Sequence, residues 1–360
     1  MRVASPATVP KRSEAHFDGL VSSFDAAADA TGVIRDRYSI AGAPVSLHFA
    51  SPALRERLTR AFSHLGERAT ERSGASELSV FLWDSASTGA EPPSRPQVPA
   101  DHADGALYYI DRPPLRAAYQ PGLETLSVLD SEAGVAWHWV ADAFEQPSWD
   151  QASPVRQILF WWLGSRGRTQ VHGAAVGTSA GGALLVGKGG SGKSTAALAS
   201  LGSELLYAGD DYVAVSLEPT PWVHSLYNSG KLDLSTIREL LPHLLPLASN
   251  PETLDREKAV FYVQEQFPDQ TTSGFPLRAI LVPTVHADRR EHRITEASRA
   301  AAFAALAPST ILQLHTAGSD VFAMMSRLIQ QVPCYGIELG SDIASIPETI
   351  AEFLARLPSD

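Results

Sequence analysis

Residues Gly187 to Ser194 read GKGGSGKS, and this string satisfies the pattern G-x-x-x-x-G-K-[ST]. An apolar run precedes it and a helix-compatible run follows, which is the context that a phosphate-binding loop requires. Gly187, Lys188, Gly189, Gly190, Ser191 and Gly192 would form the loop, because glycines let backbone N–H groups curl around a phosphate while the following helix N-terminus adds a favourable dipole. Lys193 would then neutralise charge on the β- and γ-phosphates. Ser194 would place its hydroxyl on Mg²⁺, with Thr195 following it into the helix. The expected ligands are a nucleoside triphosphate, taken as ATP, and Mg²⁺.

A second group of residues lies on either side of this loop. Asp210 and Asp211, in AGDDYVAV, close one strand and open the next. Two adjacent carboxylates beside a phosphate loop could divide the work, Asp210 holding a metal while Asp211 accepts the proton of an attacking hydroxyl. The same Gly-Asp-Asp string also suits a plain Asx turn. His172 precedes Gly173 on the strand leading toward the loop. A single histidine on a strand is usually structural, so its interest comes from its company.

These residues need a scaffold, and the segment 170–216 supplies one. It reads as a strand over 170–177, a turn at Ser179 to Gly182, a strand over 183–186, the glycine-rich loop, a helix from 193 to about 201, and strands over 204–208 and 212–216. The first two strands are joined too tightly for a parallel crossover and must be antiparallel. That departs from the doubly wound sheet of most proteins with such a loop. Further on, strands are expected near 222–227, 259–264, 277–282 and 334–338, with helices from Ser235, over 297–306 and 319–330, and from Ile346 to Leu357. Upstream, SPVRQILFWWLGSRG from Ser153 reads as a capped helix, with Trp161 and Trp162 as core or interface residues. Residues 38–50 and 76–85 alternate like strands, 52–69 has helical spacing, and 123–142 reads as a hairpin. The first 35 residues show little periodicity and read as a partly disordered end.

Bulk composition narrows the classes. A chain of 360 residues suggests two domains, and 44% apolar with 19% charged residues is ordinary for a globular protein. The net charge of −11, with no clustered Lys/Arg run, argues against nucleic acid and anionic membranes as partners. One cysteine, Cys334, excludes an internal disulfide framework and a cysteine zinc site, and reads as a small buried residue. With no apolar signal segment and no run of about 20 apolar residues, a cytoplasmic protein is expected.

In the order HGAAVG, GKGGSGKSTAAL and YAGDDYVAV, the motifs resemble the C-terminal catalytic domain of HPr kinase/phosphorylase and the related HPr-kinase-like serine kinases. The resemblance covers about residues 168–358 and is strong over 170–216. It implies an α/β P-loop domain of the HPr kinase/phosphoenolpyruvate carboxykinase type, a mixed sheet with antiparallel strands beside the P-loop. It also implies Lys193 as phosphate ligand, Ser194 as Mg²⁺ ligand, Asp211 as general base, Asp210 in a metal or supporting role and His172 near the phosphates. The family usually carries Glu immediately after the loop serine, where this chain has Thr195, and its Arg-Gly signature has no clear counterpart. HPr itself is therefore not expected as substrate.

The domain expectation is a partly disordered segment over 1–35, a smaller α+β domain over 36–150 that could recognise the acceptor, and the ATP-binding catalytic domain over 151–360. The expected activity is γ-phosphate transfer to a hydroxyl, a serine of a peptide or protein. Two alternatives stay open, a metabolite kinase and a nucleotide-binding switch without transfer. Lys231 and Arg278 are further candidates for phosphate or substrate contact, whereas Arg289, Arg290 and Arg293 read as a solvated loop. No residue pattern fixes an oligomeric state.

Overall fold

The computed structural model describes residues 15–66, 78–95, 108–313 and 318–358. The chain divides into two compact units: Met1–Asp36, Ser46–Arg55 and Glu77–Glu145 in the first, and Arg37–Val45, Glu56–Ser76 and Gln146–Asp360 in the second. No helix among the described residues is long and apolar enough to cross a membrane.

The first part of the chain contains helix α1 (Ala15–Thr31), strands β1 (Ile34–Ile40) and β2 (Ala43–Phe49), helix α2 (Pro52–Thr59), β3 (Leu78–Asp84) and the single turn α3 (Ser85–Thr88). Strands β4 (Tyr108–Arg112), β5 (Leu115–Gln120), β6 (Thr125–Asp130) and β7 (Val135–Val140) follow. The seven strands form one sheet in the order β1-β2-β3-β7-β6-β5-β4. Helix α1 corrects the expectation of a disordered start, at least from residue 15; residues 1–14 lie outside the described residues. Leu20, Phe24 and Ala27 recur at helical spacing and are buried with Trp83, Trp137 and Trp139, Phe24 standing edge-on to Phe81 and Trp83. An alanine-rich helix needs only this narrow stripe to dock, so its signal in the sequence is weak. The single strand expected over 38–50 is instead the hairpin β1–β2, broken by Ala41 and Gly42, both at positive φ.

In the second part come α4 (Ser148–Gln151), α5 (Arg156–Gly164), β8 (Arg168–His172), β9 (Ala174–Thr178), β10 (Gly181–Leu185), α6 (Lys193–Ala199), β11 (Leu206–Gly209) and β12 (Tyr212–Ser216). They are followed by β13 (Trp222–Ser225), β14 (Ser229–Leu232), α7 (Leu234–Leu240), β15 (Ala259–Tyr262), α8 (Val263–Gln266), β16 (Gly274–Val285) and β17 (Arg293–Glu296). Helices α9 (Arg299–Gln313) and α10 (Ser319–Gln331), strand β18 (Cys334–Leu339) and helix α11 (Ile346–Arg356) close the chain. The main sheet runs β11-β9-β10-β16-β13-β12-β8, with β18 beside β16 and β17 beside β18; β14 and β15 form a separate ribbon. It is mixed: β16 pairs in parallel with β10 and β18, and β9–β10 is an antiparallel hairpin.

Strand β10 explains why its sequence is apolar without alternation. Ala183 and Leu185 face a core with Ala196, Ala197, Ile350 and Leu354, while Leu184 and Val186 face another with Leu306, Met325 and Leu328. A strand covered on both faces has no polar side.

The strand expected over 170–177 is two strands. The chain breaks at Gly173: β8 pairs with β12, whereas β9 pairs with β10 and β11. A Cβ at Gly173 would stand 2.8 Å from the Leu185 carbonyl oxygen, and its N–H donates to the Asp211 carbonyl at 3.1 Å. The chain therefore passes from β8 at one end of the strand order to β9 near the other at the point where the carboxylate pair turns. Ribbon β14 and strand β17 were not foreseen in the sequence.

Candidate active site

Strand β10 ends at Leu185, and the Val186 N–H still donates to the Leu281 carbonyl at 2.9 Å. The chain then leaves the sheet through Gly187–Gly192 and re-enters as α6 at Lys193. Gly192 has φ +101 and a Cβ there would lie 2.5 Å from Leu339 Cδ1, so neither the conformation nor the space admits a side chain. Gly190, at φ +77, makes the other sharp turn. Lys188, Gly189 and Gly190 are exposed at the loop tip, while Lys193 is buried.

The Lys193 ammonium folds back onto the loop, donating to the carbonyls of Gly187 at 2.7 Å and Lys188 at 3.2 Å. Burial lowers its pKa, and Asp210 and Asp211 oppose that. Ser191 Oγ is buried without a hydrogen-bond partner among the described residues. The Ser194 hydroxyl donates to Asp210 Oδ1 at 2.9 Å, and the Lys231 backbone N–H donates to Asp210 Oδ2 at 3.2 Å. Asp210 is 2% exposed, and burial, with Asp211 beside it, raises its carboxyl to about 6. The donors here are oxygens only, a carboxylate and a hydroxyl. That set suits Mg²⁺, which takes one or two protein oxygens and completes its shell with water and phosphate.

Asp211 sits in strained backbone. Its φ is +62, and the Tyr212 N–H donates to the Asp210 carbonyl at 2.7 Å, which closes a three-residue γ-turn around Asp211. The turn sends the two carboxylates to different partners. Asp211 Oδ2 is 2.8 Å from the ammonium of Lys231, itself buried and held also by the Trp149 carbonyl at 3.5 Å. Burial would raise the Asp211 carboxyl, but Lys231 and then His172 outweigh it and bring it down to about 2. His172 pairs across β8–β12 with Tyr212 and stacks edge-on to its ring. Its Nδ1 is buried without a partner among the described residues. Burial pushes the imidazole down to about 4 despite Asp211, so it is neutral near pH 7.

The structure thus brings Lys193, Ser194, Asp210, Asp211 and His172 together, and it adds Lys231. Arg278 is elsewhere: its guanidinium donates to the carbonyls of Leu354, Leu357 and Pro358 at the end of α11. Of the basic cluster, Arg289 pairs with Glu338 and Arg290 with Asp342. Asp150 and Arg156 escaped sequence reading, although both act electrostatically near the site, Arg156 on Asp211 and Asp150 on Arg156. Their one signal was position, just before and inside a helix that otherwise reads as packing.

No family model matches the chain, and no curated protein does. Among solved structures it is similar to the Hpr(Ser) kinase/phosphatase from Coxiella burnetii, with 14% sequence identity and a TM-score of 0.28 over 52% of this chain and 94% of that chain. At that TM-score the likeness bears no weight for fold or activity.

Proposed function

We propose that the protein transfers the γ-phosphoryl group of ATP to a hydroxyl, with a serine of a peptide or protein as acceptor. The observation that carries this reading is the join between loop and carboxylates: Ser194 on Asp210 at 2.9 Å, with the next residue, Asp211, held by a separate cation. The motif order described above supports the same activity.

In this reading the Lys193 ammonium exchanges the carbonyls of Gly187 and Lys188 for β- and γ-phosphate oxygens. Ser194 and Asp210 would hold Mg²⁺, which when bound neutralises charge on those oxygens. The acceptor hydroxyl oxygen forms the new bond to the γ-phosphorus, the bond to the β–γ bridging oxygen breaks, ADP leaves, and the hydroxyl proton passes to Asp211. A carboxylate at about 2 is a weak base, which suits a loose transition state where the proton leaves late. Lys231 is the reason for that weakness. An arriving γ-phosphate offers Lys231 a second anion and so strengthens Asp211 as a base. His172 is neutral near pH 7 beside Asp211 and adds no charge to the site.

The test is transfer from γ-labelled ATP with Mg²⁺ in a lysate of the native cell, wild type against Asp211→Asn. The expected result is a labelled peptide or protein with wild type and a loss of about 10²- to 10⁴-fold in the variant. ATP binding without any Asp211-dependent label would overturn the reading.

A further inference from the structure

Among the cations that act on the carboxylate pair, Lys193 and Lys231 are matched by the protein. Lys193 has two loop carbonyls and Lys231 has Asp211. Arg156 is different. Its Nη1 donates to the Tyr212 hydroxyl at 3.0 Å, and the guanidinium lies over the Tyr212 ring at 5.0 Å from its centroid. Among the described residues no carboxylate comes within the 4.0 Å of an ion pair, and Arg156 makes no other side-chain hydrogen bond. A guanidinium carries five N–H donors, so most of this half-buried fork has no protein acceptor. Burial disfavours its charge and Tyr212, Asp150, Tyr227 and Asp211 restore it through space, so what is left unmet is hydrogen-bonding capacity, which a ligand with acceptor oxygens would fill.

The backbone holds Arg156 in this position against local preference. Val155, buried and β-branched, has φ +48, a region such residues avoid. The segment before it is pinned: Tyr227 donates its hydroxyl to the Pro154 carbonyl at 3.0 Å and Ser229 donates to the Ala152 carbonyl at 2.5 Å. Val155 and Asp211 are thus two strained positions at one site. Strain held in place by surrounding contacts clusters at active sites and ligand clamps.

Asp211, the proton acceptor in the reading above, acts electrostatically on both Arg156 and Lys193, and Tyr212, which holds the guanidinium, is the next residue in the chain. Arg156 is thus placed beside the carboxylate that an acceptor hydroxyl would meet.

We propose that Arg156 binds an oxyanion, a carboxylate or a phosphate, that the acceptor carries close to the hydroxyl it offers; this rests on the transfer reading above. The planar fork matches either group with two parallel hydrogen bonds, which a lysine would not do. The acceptor class is then an acidic hydroxyl compound or segment rather than a neutral one.

The experiment uses full-length protein, γ-labelled ATP and native lysate in three forms: untreated, amidated with carbodiimide and methylamine, and dephosphorylated with the phosphatase then removed. Wild type should label the untreated lysate and lose about tenfold or more of that label in one treated form, amidation reporting a carboxylate and dephosphorylation a phosphate. Arg156→Gln should label all three weakly and alike, with Arg156→Lys recovering part of the preference; nucleotide binding by each variant serves as the folding control. Equal wild-type labelling of all three lysates would overturn the oxyanion site while leaving the kinase reading intact, and so would Arg156→Gln keeping the wild-type preference. No label from the untreated lysate would remove the transfer reading and this inference with it.

Discussion

The phosphate loop and the carboxylate cluster meet at Ser194 and Asp210, yet they are assembled differently. Gly187 to Thr195 is one continuous stretch whose geometry follows from its own glycines, above all Gly190 and Gly192 at positive φ. The cluster draws Arg156 from a helix, His172 from a strand end, Asp211 from a γ-turn and Lys231 from a two-stranded ribbon. A local motif tolerates change in the rest of the fold. An assembled cluster depends on the break at Gly173, on the strain at Val155 and on the register of β14.

That contrast can be broken most forcefully at Lys193. Replacing it with Met removes an ammonium that touches only loop carbonyls in the free protein. ATP affinity should fall by about a hundredfold, measured by calorimetry, because a charge-assisted contact to phosphate is lost. Stability should stay within about 1 kcal/mol of wild type, since a buried charge disfavoured by desolvation is removed with it. A variant that binds ATP normally would show that the loop is not the phosphate site.

Asp210 belongs to both halves and sharpens the comparison through pH. Its carboxyl is raised to about 6, so between its ordinary value near 4 and pH 6 the folded protein binds more protons than the unfolded chain. Wild-type stability from this group is therefore full below about pH 4 and declines as pH rises through 6. Asp211, lowered to about 2, runs the other way and loses its contribution only as pH falls from about 4 to 2. Asp210→Asn can keep both hydrogen bonds, its oxygen accepting from the Lys231 N–H and its amide donating to Ser194 Oγ. The melting temperature of the variant relative to wild type should rise by roughly a few degrees between pH 4 and pH 7, without nucleotide. Mg²⁺-dependent transfer should fall at the same time. A difference in melting temperature that does not vary with pH would mean that Asp210 is not held in a proton-favouring site.

Sequence legibility divides along the same line. The loop, its helix and the antiparallel β9–β10 hairpin were readable because adjacent residues carry them, whereas a place for His172 and Asp211 in one site came only from the resemblance. Asp150 and Arg156 were not, since only the tertiary fold takes them to Asp211, and nothing in SPVRQILFWW distinguishes a ligand-facing arginine from a surface one. The split of residues 170–177 at Gly173 was missed for a related reason. Its cause is the approach of the Leu185 carbonyl, a contact between separate strands. Helix α1 was missed because alanine-rich helices carry a faint apolar stripe.

Arg278 is the smallest test and the one that separates a cation near a motif from a cation in a site. In sequence it stood beside Lys231 as a candidate phosphate contact, and the fold assigns the two opposite duties. Lys231 meets Asp211, whereas Arg278 satisfies three carbonyls at the C-terminal end of α11, where backbone acceptors have no partner in the helix itself. Arg278→Ala should therefore cost about 1 kcal/mol of stability, seen in denaturant melts, through unsatisfied carbonyls and a frayed last turn that water partly repairs. Its effect on ATP affinity and on transfer should be within error. Loss of transfer at unchanged stability would move Arg278 into the site and imply that the end of α11 releases it when nucleotide binds.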